Sequence, residues 1–201
     1  MNKKIKLVFA TLNINKFNEV KKIFDSALFD IIPLSNFEGT PEIIEDGLTF
    51  EENAKIKAGS IYNFLKIPVI ADDSGLIVEQ INGMPGVYSA RYAGENATDK
   101  DNNDLLLFEL MDFEKPHKAK FICSAVFFDG KNFITTDGEL AGEIIDTPKG
   151  ENGFGYDPVF IPEGYSKTLA ELGSGEKNRI SHRAIAFQKL EKEILNYYNV
   201  S

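Results

Sequence analysis

Two adjacent carboxylates, Asp72 and Asp73, follow directly on the apolar run Pro68 to Ala71. The carboxyl end of a strand is where open α/β sheets place their ligands. Mg²⁺ favours one or two protein carboxylates, completed by phosphate oxygens and water. Successive strand residues point to opposite faces, so both Asp side chains can share one ion only if the chain turns there. Ser74-Gly75 is a turn-compatible pair. Glu45-Asp46 is a second acidic pair. In a chain with 31 acidic residues, such a pair is usually a turn or a cap. That reading outweighs metal binding for Glu45-Asp46 alone and balances it for Asp72-Asp73.

Three further segments could carry chemistry. Thr11-Leu12-Asn13-Ile14-Asn15-Lys16 stands between a first strand and a first helix. A strand-to-helix turn presents backbone N–H groups and the positive end of the helix dipole to an anion. Lys16 opposes that dipole, a conflict that a bound phosphate would resolve. The glycine pattern of a Walker loop is missing, and a plain N-cap at Asn13 or Asn15 with a solvated Lys16 fits equally well. Lys177, Arg179, His182 and Arg183 crowd the start of the last helix, with Ser181 as its N-cap. In an acidic chain, that concentration of cations favours an anionic or carbonyl-bearing partner over pairing with acidic neighbours. Gly150 to Pro158 is glycine-dense, so backbone can approach a ligand, and Phe154 and Tyr156 could stack a base. The competing reading is a tight loop whose aromatics staple it to the core.

The elements that must position these residues follow from periodicity. Lys4 to Ala10 reads as a buried strand and Asn15 to Leu28 as a helix with Phe17, Val20, Phe24 and Leu28 on one face. Asp30 to Leu34 is a second strand. Thr49 with Glu52 forms a capping box, opening a helix whose stripe is Ala54, Ala58, Ile61 and Leu65 and which stops before Pro68. Pro68 to Ala71 and Leu76 to Val78 are strands on either side of the Asp-Asp-Ser-Gly turn. Asn82-Gly83 and Pro85-Gly86 mark turns, and Thr98 to Met111 is a helix. Phe121 to Phe128 and Phe133 to Thr136 flank Asp129-Gly130 as a hairpin, with another strand at Gly138 to Ile144. Phe187, Leu190, Ile194 and Tyr197 mark a C-terminal helix. Helices and hairpins intermix, which predicts an α/β fold with a mixed sheet.

Length and composition set the outer limits. The 201 residues suffice for one domain with a sizeable core or two small lobes. A net charge of −9 opposes broad nucleic-acid binding, so any phosphate site must be built locally. No apolar run approaches the ~20 residues that span a bilayer, and Ile5 to Ala10 is too brief for a signal-peptide core. The single Cys123 lies in an apolar run and reads as a buried thiol. These features point to the cytoplasm, with no membrane partner.

Taken together, the motifs closely resemble the inosine triphosphate pyrophosphatase family. The matching blocks are Ala10-Thr11-x-Asn13-x-x-Lys16-x-x-Glu19, Glu45-x-Gly47-x-Thr49-Phe50-x-Glu52-Asn53-Ala54 and Ala71-Asp72-Asp73-Ser74-Gly75-Leu76. They continue with Pro85 to Arg91, Gly153-Phe154-Gly155-Tyr156-Asp157-Pro158, and Lys177-Asn178 followed by Ser181-His182-Arg183. The resemblance spans nearly the whole chain, residues 1–201 as one domain, and its Tyr-Ser-Ala-Arg wording is of bacterial type. It implies an elongated mixed sheet with flanking helices, two lobes around a nucleotide cleft, and a homodimer. It also implies Mg²⁺-dependent hydrolysis of ITP, dITP and XTP to monophosphate and pyrophosphate. By position, Thr11, Leu12, Asn13, Ile14, Asn15 and Lys16 would hold the triphosphate, and Glu45 with Asp73 the metal. Asp73 would also accept the proton of water, supported by Asp72, with Ser74 touching substrate. Phe154, Gly155, Tyr156, Asp157, Lys177, His182 and Arg183 would form the base pocket. Two rivals stand beside this: a Maf-like pyrophosphatase acting on pyrimidine or modified nucleotides, and a sensor that binds triphosphates without turnover. A water-activating carboxylate argues against the sensor.

Overall fold

The strand Ile5–Phe9 (β1) is apolar along almost its whole length because both of its faces are covered. Leu7 and Phe9 join one core cluster, and Val8 joins another. The computed structural model describes residues 4–200. After β1 come Ile14–Lys21 (α1), Phe29–Pro33 (β2), Phe50–Leu65 (α2), Val69–Val78 (β3) and Asp99–Leu110 (α3). His117–Phe128 (β4), Phe133–Ile144 (β5), Phe160–Pro162 (β6), Ser174–Ile180 (α4) and His182–Tyr197 (α5) complete the chain. The strand order is β2-β1-β3-β4-β5-β6. β1 runs parallel to β2 and β3, while β5 and β6 are antiparallel, so the sheet is mixed as expected.

The chain divides into two compact units. The first comprises residues 1–73, 123–138 and 183–201, and the second residues 74–122 and 139–182. In the first, α1 and α5 supply Phe17, Val20, Phe187, Leu190 and Ile194 to one cluster, with Ile70 of β3 and Phe127 of β4. The second cluster of that unit packs Ala54, Ala58 and Ile61 of α2 on Val8, Val69, Ala71 and Val126. The second unit has its own core of Leu76, Val78, Leu106, Leu110, Phe121, Tyr156, Phe160 and Leu169, among others.

Local signals account for most boundaries. Thr49 Oγ1 accepts from the Glu52 N–H, and Glu52 Oε2 accepts from the Thr49 N–H, so the capping box is closed at both ends. α2 ends on Lys66 in the left-handed conformation, before Pro68. Asp129 Oδ1 accepts from the N–H groups of Lys131 and Asn132, tying the turn between β4 and β5.

Four expectations need correction. α1 stops at Lys21 rather than Leu28: the chain tightens through short-range bonds from Lys22 to Glu19 and Ile23 to Val20. Asp25 then caps the Ala27 N–H in a local turn. Phe24 is nevertheless buried, edge-on to Phe29 and Phe187. β5 is one strand across 133–144, not two pieces, and β4 begins at His117. β6 and α4 were not foreseen, being a three-residue strand and a seven-residue helix with no apolar stripe. The fourth correction matters most. β3 passes through Asp72-Asp73-Ser74-Gly75 without turning.

Candidate active site

Because β3 stays extended, Asp72 and Asp73 face opposite sides of the sheet. Ile70 and Asp72 share the side covered by α1 and α5, whereas Val69, Ala71 and Asp73 share the side covered by α2. The pair therefore supplies two separate carboxylate environments.

On the α1 side, Asp72 Oδ2 lies 3.1 Å from Lys16 Nζ and 3.2 Å from Arg183 Nε. Arg183 Nη1 is 2.8 Å from Glu19 Oε2. Arg183 is 2% exposed, and the Asp72 side chain 1%. Burial alone would raise the Asp72 carboxyl, but Lys16, Arg183 and Lys57 outweigh it and hold the group well below the usual carboxylate range. Asp72 is thus a fixed anion that anchors two cations. Its partner Arg183 is held above the ordinary range, burial being outweighed by Asp72 and Glu19.

On the α2 side, Asp73 Oδ1 accepts from Lys57 Nζ at 2.9 Å, and the same ammonium donates to Glu45 Oε2 at 2.6 Å. Asn53 Nδ2 donates to Asp73 Oδ2 at 3.3 Å, while Asn53 Oδ1 accepts from the Gly47 N–H at 2.8 Å. Asn53 therefore fastens the loop carrying Glu45 to the helix beside Asp73. Gly47 has to be glycine here, because a Cβ would come within 2.7 Å of Asn53 Oδ1 and 2.8 Å of Glu52 Cβ. Burial, together with the neighbouring Glu45, raises the Asp73 carboxyl against the opposing pull of Lys57 and Lys16. Lys57 is held above its usual value: burial works against the charge, but Asp73, Asp72 and Glu45 outweigh it. The two neighbouring aspartates are thereby pushed in opposite directions, which separates a structural anion from a candidate base.

The strand-to-helix turn that precedes α1 is shaped by Asn13, whose Oδ1 caps the N–H groups of Asn15 and Lys16 at 2.9 and 3.1 Å. Thr11 Oγ1 accepts from the Asn13 N–H. Leu12 and Ile14 are exposed large apolar residues on this turn. Asp72 relieves the dipole conflict at Lys16 that the sequence raised.

In the second unit, Asp157 organises the glycine-dense loop. Its Oδ2 accepts from the Phe154 N–H at 2.8 Å and from Lys177 Nζ at 2.6 Å. Lys177 Nζ also lies over the Phe154 ring, 4.5 Å from its centroid. The Gly155 N–H donates to Asp99 Oδ2, and its carbonyl accepts from Asn103 Nδ2. α3 thus holds both polar groups of Gly155. Tyr156 is a staple, buried in the core with its hydroxyl on the Ser89 carbonyl at 2.9 Å, whereas Phe154 is half-buried. His182 is buried and stacked on Phe121, with centroids 4.7 Å apart. Ser74 opens the second unit on β3, half-buried. Lys177 and Arg179 belong to α4 instead of crowding the start of α5.

Gly153 has φ +79, and a Cβ there would fall 2.0 Å from Asp157 Oδ2. Gly153→Ala should therefore push the carboxylate off both the Phe154 N–H and Lys177. For the nucleotide that the family resemblance implies, we expect KM to rise about ten-fold with a smaller change in kcat, since a displaced anchor weakens binding more than chemistry. An unchanged KM would show that the Asp157 anchor does not shape the ligand site.

Lys57, Asn53 and Glu19 did not emerge as site residues from the sequence. A signal for Lys57 was present: it lies three residues after Ala54 and four before Ile61, placing a lysine on the apolar stripe of α2. Glu19 and Asn53 stand in the motif blocks that carry the family resemblance, but nothing local names their partners, and Arg183 is distant in sequence from Glu19.

A sequence model of the Ham1 family matches residues 7–193. The chain is 47% identical over 197 residues to a protein of Bacillus anthracis named dITP/XTP pyrophosphatase, covering 96% of this chain and 97% of that one. Among solved structures, the Ham1 protein of Staphylococcus aureus superimposes with a TM-score of 0.86 at 39% identity, covering 96% and 99% of the two chains. The Coxiella burnetii HAM1 protein gives 0.88 at 37% identity, with the same coverage. With matches of this extent to both sequence and fold, the chain belongs to the Ham1 family.

Proposed function

We propose that the protein hydrolyses the deaminated purine nucleotides ITP, dITP and XTP to monophosphate and pyrophosphate with the aid of Mg²⁺. The observation that carries this reading is the split aspartate pair, with Asp72 locked as an anion by Lys16 and Arg183 on one face and Asp73 joined to Glu45 at a single cation position on the other. The name of relatives such as the Bacillus anthracis protein, dITP/XTP pyrophosphatase, supports the substrate class and the product.

The donor set fits Mg²⁺. Glu45 and Asp73 converge on one cation, the Lys57 ammonium. Mg²⁺ takes few protein ligands and completes its shell from phosphate and water, so two carboxylates suffice for it. Glu45 and Asp73 would hold the ion, which supplies polarisation of the phosphoryl oxygens. In the reaction, a water oxygen forms a bond to the α-phosphorus while the bond from that phosphorus to the bridging oxygen breaks. Asp73 takes the water's proton, and pyrophosphate leaves. Thr11 to Lys16 would bind the triphosphate, with Lys16 as its positive charge.

For the base, Phe154, Gly155, Asp157 and Lys177 offer an aromatic wall and a donor. A protonated amine only donates hydrogen bonds, so a 6-oxo group suits Lys177, whereas the 6-amino group of adenine would meet donor with donor. Tyr156 and His182 would support this pocket from the core. The family resemblance implies a place for Arg183 in this pocket; its guanidinium is held by Asp72 and Glu19, and we assign it to keeping the phosphate side in shape.

The net charge of −9 opposes polyanionic partners, and no helix among the described residues is long and apolar enough to cross a membrane. A cytoplasmic homodimer remains the proposed setting, on the strength of the family resemblance. A nucleotide panel with Mg²⁺ tests the function: ITP, dITP and XTP should be turned over far faster than ATP. Equal turnover of ATP, or release of orthophosphate, would overturn it.

Lys16→Ala provides a narrower test. It should weaken binding of a non-hydrolysable ITP analogue by about ten-fold or more, consistent with loss of a charge-assisted contact, while leaving inosine binding unchanged. Equal losses for both ligands would assign Lys16 to structure alone.

A further inference from the structure

We propose that the Lys57 ammonium and a divalent cation compete for the Glu45–Asp73 carboxylate pair, so that the metal binds firmly only when a triphosphate arrives to receive the displaced ammonium. This rests on the metal reading above and adds a binding order to it.

The geometry is that of one cation position. Glu45 comes from a loop and Asp73 from β3, and they meet at Lys57 Nζ, 2.6 and 2.9 Å away. Asn53 and Gly47 fix the loop in place, so the carboxylates cannot separate freely to admit a second ion. A Mg²⁺ held by the same two carboxylates would stand beside the ammonium, where like charges in a partly dry site repel strongly. One of the two must leave. Lys57 can yield because its long stem lets the head swing while the stem stays on the apolar stripe of α2.

Withdrawal has a cost unless another anion accepts the charge. Asp72, the further carboxylate whose charge acts on Lys57, already holds Lys16 and Arg183. An incoming triphosphate brings several negative charges and can serve the ammonium. Metal and nucleotide binding are then linked, and each strengthens the other by the same factor. Lys57 is in this account a positioning residue that keeps the carboxylates paired with a cation and makes firm metal binding depend on substrate.

The test measures Mn²⁺ binding to the full chain without nucleotide, from the paramagnetic resonance of free Mn²⁺. Lys57→Met and Lys57→Gln, each checked for native circular dichroism, should bind Mn²⁺ at least about ten-fold tighter than wild type, within the usual range of coupling. Asp73→Asn added to either variant should cancel the gain. Equal affinity of wild type and both variants would overturn the competition while leaving the metal reading intact. Absence of Mn²⁺ binding to any of the proteins, with or without a non-hydrolysable ITP analogue, would overturn both. A wild-type measurement covers the case in which the variants do not fold. Saturating Mg²⁺ should raise the acylation rate of Lys57 several-fold by mass spectrometry, and unchanged labelling would overturn the proposal.

Discussion

Asp73→Asn should lower kcat for ITP by at least about 10³-fold, since loss of a positioned general base alone removes roughly 10²–10⁴ and a metal ligand is lost with it. The fold should survive. Asn is nearly isosteric with Asp, and burial raises the Asp73 carboxyl despite the pull of Lys57 and Lys16, so loss of the charge removes a desolvation cost along with the ion pair. Lys57 keeps Glu45 at 2.6 Å as a counter-ion, and Asn53 still faces a carboxamide it can bond. The melting temperature should therefore stay within a few degrees of wild type. Turnover within a few-fold of wild type would mean that another group activates the water.

Arg183→Ala should act in the opposite way, mainly on stability. The guanidinium is buried between Asp72 and Glu19. Removing one member of a buried ion network leaves uncompensated charge, which costs roughly 3–5 kcal/mol. For a chain of this size, that corresponds to a fall of about 10 °C in melting temperature. Lys16 remains on Asp72 and limits the damage, and adding Asp72→Asn should recover part of the loss because it removes the stranded anion. Turnover of ITP and ATP should fall together. A variant that melts within about 2 °C of wild type yet narrows the ratio of kcat/KM between ITP and ATP would return Arg183 to the base pocket.

Sequence patterning located the parts but not all of their directions. β1, α2 and the β4–β5 turn were legible because each has a short-range cause: a run covered on both faces, a capping box and an Asp-Gly turn. The Thr11 to Lys16 turn, Asp72 and Asp73 stand out by residue type, whereas Glu45 and its pairing with Asp73 come only from the family resemblance. The opposite facing of the two aspartates was not legible, since Ser74-Gly75 suggested a turn where β3 in fact stays extended. Strand neighbours decide that outcome, and local composition does not encode them. Arg183 was read as a ligand donor because a cation near a helix start conflicts with the dipole. The answer to the conflict, Asp72 and Glu19, lies more than a hundred residues away. Tyr156 shows the same limit: an aromatic in a glycine loop could stack or staple, and only the Ser89 carbonyl and the surrounding core decide for the staple.

The most direct test of the central claim follows the oxygen of the attacking water. ITP hydrolysed by the protein in water labelled with heavy oxygen should place the label in the monophosphate and none in the pyrophosphate, because attack is at the α-phosphorus. Label in pyrophosphate, or in free orthophosphate, would place the attack elsewhere and contradict the account.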